Sequence, residues 1–215
     1  IGNNGLTIGD LASFWQAIAK EFSTFKNIYG YGLMNEPHDL TPETSWFDMA
    51  QASINAIREV DTNTLIMVGG NDWSSAERWI EQSDTLKYLK DPANNLAFEA
   101  HVYFDKDASG TYKYSYEEEE CYLEKGIDRV KPFVEWIKQN KFHGFIGEYG
   151  IPDNDPRWNE TLDLFLGYLQ ENGINGTYWA AGPWWDSYFM AITPKDGKDR
   201  PQMPIIEKYT STFKK

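Results

Sequence analysis

Apolar positions in this chain follow two recurring spacings. Phe14, Trp15, Ile18 and Phe22 step by threes and fours, which predicts an amphipathic helix over Leu11–Phe22 with Asp10 as its N-cap. The next apolar run, Ile28 to Met34, is short and does not alternate with polar residues. That is the pattern of a strand buried on both faces. The same two signatures recur down the chain. Trp46, Met49, Ile54 and Ile57 predict a helix over Pro42–Val60, and Leu65–Val68 is a second strand, ended by Gly69 and Gly70. A polar stretch with a short helix over Ser75–Leu89 leads to a third strand, Leu96–Tyr103. A helix over Gly126–Asn140 precedes a fourth strand, Gly144–Tyr149. A helix over Arg157–Asn172, opened by Pro156, precedes a fifth, Asn175–Ala181. A long aromatic loop, Gly182–Arg200, and a last helix near Pro204–Thr212 complete the pattern.

Short apolar strands that alternate with helices imply a parallel sheet with helical crossovers. Such sheets close into an eight-stranded (β/α)8 barrel or stay open and doubly wound. No glycine-rich phosphate loop joins a strand to a helix, which argues against the open sheet. Asn35 and Glu36, His101 and Tyr103, Glu148, and Trp179 fall at the carboxyl ends of successive strands, where a parallel barrel gathers its site. Five strands do not close the barrel, however, and an open parallel edge is a pairing liability. The expectation is an α/β chain holding about strands 4 to 8 of a (β/α)8 TIM barrel with their helices, residues 1–215 forming the carboxyl-terminal part of a single domain. On this reading the chain begins inside a longer sequence. The three remaining strands would precede Ile1, or belong to a separate N-terminal fragment that completes the barrel.

Composition narrows the chemistry. Aromatic residues make up 16% of the 215, with nine Trp and thirteen Tyr. Their faces stack on the C–H faces of sugars as readily as they fill a core, so both uses stay open. A net charge of −13 opposes nucleic acid or an anionic membrane surface as partner, but not a neutral polysaccharide. The single cysteine, Cys121, excludes an internal disulfide and a thiolate metal cluster. No apolar run reaches the ~18 residues of a membrane span. Glu117–Glu120 read as the solvated start of a helix rather than a metal site.

Among many acidic residues, Glu36 and Glu148 stand out because each ends an apolar run, where its burial needs a reason. Two carboxyls facing each other across a barrel mouth suit the cleavage of a glycosidic bond with retention, which needs them roughly 5–5.5 Å apart. Asn35 either bonds a sugar hydroxyl or serves as a turn residue before Pro37. His101 and Tyr103, two apart on one strand, point the same way; Tyr103 is positioned to donate to the nucleophile and His101 to orient the site. Trp179 either stacks under a sugar or packs in the core. Trp184 and Trp185 are candidates for a neighbouring sugar, with rim packing as the alternative. Trp73 and His38 are candidates for the cleft, against rim and turn roles. His143 sits at the amino end of its strand and is read as structural.

These motifs carry a resemblance. Tyr31-Gly-Leu-Met-Asn-Glu-Pro37 resembles the asparagine–glutamate–proline signature of clan A glycoside hydrolases. His101-Val-Tyr103 resembles the histidine–x–tyrosine strand of glycoside hydrolase family 5, and Ile146-Gly-Glu-Tyr-Gly150 that family's nucleophile strand. Thr177 to Trp185 is similar to the last strand and loop of its fungal-type endoglucanases. The resemblance implies a (β/α)8 barrel and a retaining endo-β-1,4-glucanase, or cellulase, acting through a covalent glycosyl-enzyme. Glu36 is then the acid/base, Glu148 the nucleophile, and Asn35, His101, Tyr103 and Trp179 the supporting shell. It implies no metal or cofactor and a β-glucan or cello-oligosaccharide partner; secretion is expected from the size of such a substrate. A β-mannanase or other clan A β-glycanase, and a catalytically incomplete sugar-binding fragment, are the alternatives. The family also supplies an arginine beside the nucleophile and a histidine, both from strands that would lie before Ile1.

Overall fold

A computed structural model describes residues 5–40 and 45–210. Two compact units are distinguished: Ile1–Ala100 with Glu135–Phe145, and His101–Val134 with Ile146–Lys215. Strands β1 (Gly30–Gly32), β2 (Leu65–Gly69), β3 (Leu96–Tyr103), β4 (His143–Gly150) and β5 (Asn175–Tyr178) form one sheet in sequential order. The strands are parallel, with Gly30 opposite Leu65 and Ile66 opposite Leu96 in the first two registers. A sequential parallel order is that of a β/α barrel, whereas a doubly wound sheet reverses its order at a switch point.

In the first unit, α1 (Ile8–Phe22) packs on α2 (Trp46–Arg58). The N-cap of α1 is Thr7, not Asp10. The Thr7 hydroxyl accepts from the Asp10 amide at 3.2 Å and the Asp10 carboxylate accepts from the Thr7 amide at 2.7 Å, a capping box that starts the helix a turn earlier than its apolar stripe. Helix α2 is capped by Ser45; Pro42, the start expected from the sequence, lies outside the described residues. The predicted helix over Ser75–Leu89 is two pieces, preceded by a further turn. A single turn, α3 (Asn71–Ser74), is left-handed at Asp72 and Trp73; α4 (Trp79–Ser83) and a 3-10 turn over Asp84–Tyr88 follow it. Ile54, Ile57, Ile66, Val68 and Phe98 are fully buried. Trp136 and Phe142 lie 4.9 and 4.8 Å from the Phe98 ring. Trp46, Trp79 and Trp136 are all buried, so part of the aromatic surplus is core.

Two polar ties hold the loops around β2. Arg58 pairs with Asp91 through two bonds of 2.8 and 2.9 Å, both side chains 2% exposed. Asp61 accepts from the Tyr31 hydroxyl at 2.9 Å and from the Thr64 and Asn63 amides. Burial alone would raise the Asp61 carboxyl; the Thr64 hydroxyl, these amides and Tyr31 outweigh it and hold it at about 2. A carboxyl lowered by folding contributes stability above its ordinary value of 3.8 and loses it as pH falls toward about 2. Asp61→Asn is therefore expected to flatten the loss of stability across that interval. An unchanged acid limb in urea titrations would remove Asp61 from the account.

In the second unit, α6 (Pro156–Glu171) is capped by Asp155, which accepts from the Arg157 amide at 2.9 Å, with Pro156 at the first helical position. It packs on α7 (Met203–Tyr209), where Tyr209 and Lys208 reach the Asp163 carboxylate at 2.7 and 2.8 Å. Helix α5 (Lys125–Asn140) begins here and ends in the first unit. The core is Phe104, Phe133, Ile146, Trp158 and Phe165. Glu117–Glu120 do not start a helix. They form a turn whose Glu119 is 3% exposed and accepts from the Lys106 and Tyr114 amides at 2.8 and 2.9 Å. A like-charge run thus hides one glutamate that satisfies the backbone from within.

Candidate active site

The first unit carries Asn35, Glu36, His38 and Trp73. After β1 the Leu33 amide still bonds the Met67 carbonyl at 3.0 Å; the chain then turns through Met34–Pro37. Pro37 has no amide to continue a ladder, and Glu36 takes a positive φ of 46°. That conformation is uncommon for a residue with a side chain and is held here by its surroundings. The Pro37 carbonyl accepts from the Trp73 amide at 3.3 Å. Gly69 permits this crowding, since a Cβ there would meet the Met34 carbonyl at 3.0 Å and Ser74 Oγ at 2.9 Å. Glu36 is half-buried and Asn35 exposed. The left-handed run Asp72–Ser74 turns Trp73 out of line, and its ring stacks on His38 at 4.6 Å with an interplanar angle of 12°. Trp73 keeps 43% of its surface exposed. His38 Nδ1 also lies 2.9 Å from the Asp39 carboxylate.

The second unit carries Glu148, His101, Tyr103, Trp179, Trp184 and Trp185. The Tyr103 hydroxyl donates to Glu148 Oε2 at 2.7 Å. His101 Nδ1 stands 3.6 Å from the same oxygen, too far for a hydrogen bond but close enough to act on its charge. The Glu148 side chain is 14% exposed and that of His101 4%. Burial, and then the Glu148 carboxylate, push the Tyr103 phenol far above its ordinary range, so it remains a donor. Trp179 follows β5 directly. Its approach to β4 is set by Gly150, where a Cβ would stand 2.4 Å from the Trp179 carbonyl. The Trp185 ring meets Trp179 edge-on at 5.0 Å, whereas Trp184 is 88% exposed. His143 is exposed at the amino end of β4.

Tyr188 escaped the sequence reading. Its ring lies 5.0 Å from that of Trp185. Its phenol is raised chiefly by burial and also by the Glu148 charge, against a lowering hydrogen bond with Trp179. No spacing rule links residue 188 to 148 or 179. The aromatic density of the loop was the available signal.

Comparison with known proteins settles the family. The model for cellulase, glycosyl hydrolase family 5, matches residues 2–184. The chain belongs to glycosyl hydrolase family 5. Endo-beta-1,4-glucanase B of Emericella nidulans is 36% identical over 193 residues, covering 87% of this chain and 56% of that protein. The crystal structure of Pseudomonas stutzeri endoglucanase Cel5A superposes with a TM-score of 0.91 at 39% identity, over 99% of this chain and 64% of that one. XacCel5A in complex with cellopentaose superposes at 0.87 with 38% identity. As a family 5 chain it thus spans little more than half the length of its curated relative, and it carries five strands of the family's barrel.

Proposed function

We propose that this chain carries the two catalytic carboxyls of a retaining endo-β-1,4-glucanase. Glu148 attacks the anomeric carbon while Glu36 protonates the departing glycosidic oxygen, giving a covalent glycosyl-enzyme and a shortened glucan. Glu36, now ionised, takes a proton from water, and that water displaces Glu148 with net retention. The observation that carries the reading is the 2.7 Å bond from Tyr103 to Glu148. A carboxylate that accepts a short bond from a phenol unable to ionise is kept charged and aimed, as a nucleophile requires.

Asn35 bonds the hydroxyl beside the reacting carbon, Trp179 stacks under the reacting sugar, and Trp185 with Tyr188 extends that surface. Trp184, the stacked pair Trp73 and His38, and the imidazole of His101 complete the set. The substrate class is β-1,4-glucan or cello-oligosaccharide; the names of the relatives support glucan over mannan. A polymer of that size points to action outside the cell. Among the described residues, no helix is long and apolar enough to cross a membrane. The chain covers 56% of a curated relative, which supports a companion reading: a separate N-terminal fragment, or the remainder of the same domain, completes the barrel before turnover.

The test is hydrolysis of an aryl cellobioside by this chain, alone and mixed with the amino-terminal three strands of a family 5 barrel. Turnover in the mixture is the expected result. Tight cello-oligosaccharide binding without turnover in either sample would favour the sugar-binding fragment.

A further inference from the structure

The loop after β3 is built around a buried charge. Asp105 is 0% exposed. Its carboxylate accepts from the Ser109 hydroxyl and the Gly110, Thr111 and Tyr112 amides at 3.1, 3.1, 3.0 and 3.2 Å. A buried carboxylate is tolerated only when so satisfied, and satisfying it fixes the path of the loop. Two contacts follow from that path. Gly110, at φ 71°, lies against the face of Tyr103, where a Cβ would come within 2.9 Å of ring atoms Cδ1 and Cε1. Tyr112 turns inward; its hydroxyl accepts from the Phe104 amide at 2.9 Å and donates to the Gly150 carbonyl at 2.6 Å. Phe104 follows Tyr103, and Gly150 lies two residues past Glu148. A single phenol thus ties the end of β3 to the end of β4. Arg129 adds a bond to the Tyr103 carbonyl and one of 3.0 Å to the Lys106 carbonyl.

We infer that the loop 105–112 is a positioning device for the Tyr103–Glu148 hydrogen bond, with Gly110 and Tyr112 as its positioning residues. The inference rests on Glu148 being the nucleophile. Gly110 supports the donor ring, and Tyr112 sets the separation of the two strand ends that carry donor and acceptor. A short charge-assisted bond is the interaction most sensitive to such a separation. The loop therefore acts on the nucleophile through Tyr103, without touching substrate.

The test titrates Glu148 in the full chain carrying 13C-labelled glutamate carboxyls, assigned with Glu148→Gln. Within its own unit Glu148 is approached by His101 and Tyr103 on β3 and by Tyr188 after β5, so each variant is compared with Glu36, His101 and Tyr188 unchanged. Tyr103→Phe removes the bond and is expected to move the Glu148 midpoint up by roughly one to two pH units. Tyr112→Phe keeps the ring and loses both tethers, and is expected to move it up by roughly half a pH unit. Gly110→Ala shifts it the same way; because its positive φ can impair folding, Tyr112→Phe carries the decision. In the Tyr103→Phe background neither change is expected to add to the shift. An unmoved midpoint in folded Tyr112→Phe, or an equal further shift in the Tyr103→Phe background, overturns the inference. Where the assembled barrel turns over substrate, the acid limb of kcat/KM should move in parallel. A moved midpoint in an assembled barrel without turnover keeps the positioning role and removes the catalytic reading.

Discussion

Replacing Glu148 with Gln is expected to lower kcat on cello-oligosaccharides by on the order of 10⁴–10⁶, the scale of losing a nucleophile from a unit that acts together. Gln keeps the size of the side chain and can accept from Tyr103, whose phenol stands 2.7 Å from the carboxylate. An amide cannot form the glycosyl ester, so the first displacement fails. The sugar contacts proposed for Trp179, Trp185 and Asn35 are untouched, so cellotetraose should bind with little change in Kd. The measurement pairs initial rates on an aryl cellobioside with calorimetric binding, in the chain completed to a full barrel. Near wild-type turnover would remove Glu148 as nucleophile. Lost binding together with lost turnover would mean that the substitution disturbed the β4 end rather than the chemistry.

Glu36→Ala is the second large effect, and its signature lies in the substrate series. General acid catalysis contributes roughly 10²–10⁴-fold when a leaving group needs a proton. For kcat/KM, which reports the first displacement, cellotetraose should lose about that factor, because a sugar alkoxide cannot depart unprotonated. A dinitrophenyl cellobioside, whose leaving group is stable as an anion, should lose little. Its kcat should still fall, since the second displacement lacks a base, and added azide should restore it by trapping the glycosyl-enzyme with the anomeric configuration retained. Equal losses of kcat/KM for both substrates would count against Glu36 as the acid.

Much of the fold was legible in the chain. Strand β3 has the bounds that its apolar run predicted, and the other strands fall inside or within a residue of theirs. The departures have local causes. Thr7 captures the α1 cap because a hydroxyl and a carboxylate three apart bond each other's amides, a device the apolar stripe does not contain. The stretch after β2 breaks where Asp72, Trp73 and Ser74 adopt left-handed backbone, which helical periodicity gives no means to foresee. Glu119 is buried because its turn folds over amides thirteen and five residues away, those of Lys106 and Tyr114.

At the site, both candidate carboxyls were found from apolar runs ending in a charge, together with family motifs. Their neighbours divide differently. Tyr103 was expected beside the nucleophile from its alternation with His101, and the two do approach the same Glu148 oxygen. Tyr188, Tyr112 and Asp105 were invisible, since each meets its partners across a loop.

By itself the sequence determined the five strands, the longer helices between them, their order, and which acidic residues end strands. Those properties depend on neighbours one to four positions away, and the two backbone periods write them into the spacing of side chains. Only the tertiary structure decided which Trp fills the core, as Trp79 and Trp158 do, and which faces outward, as Trp73 and Trp184 do. It alone decided that the Tyr103 phenol lands on Glu148, and that a buried aspartate winds a loop against that phenol's ring. The first contact joins residues 45 positions apart, and the second depends on the path of a loop that follows neither backbone period. Their strength depends on separations of a few tenths of an ångström, set by packing around them rather than by any pattern along the chain.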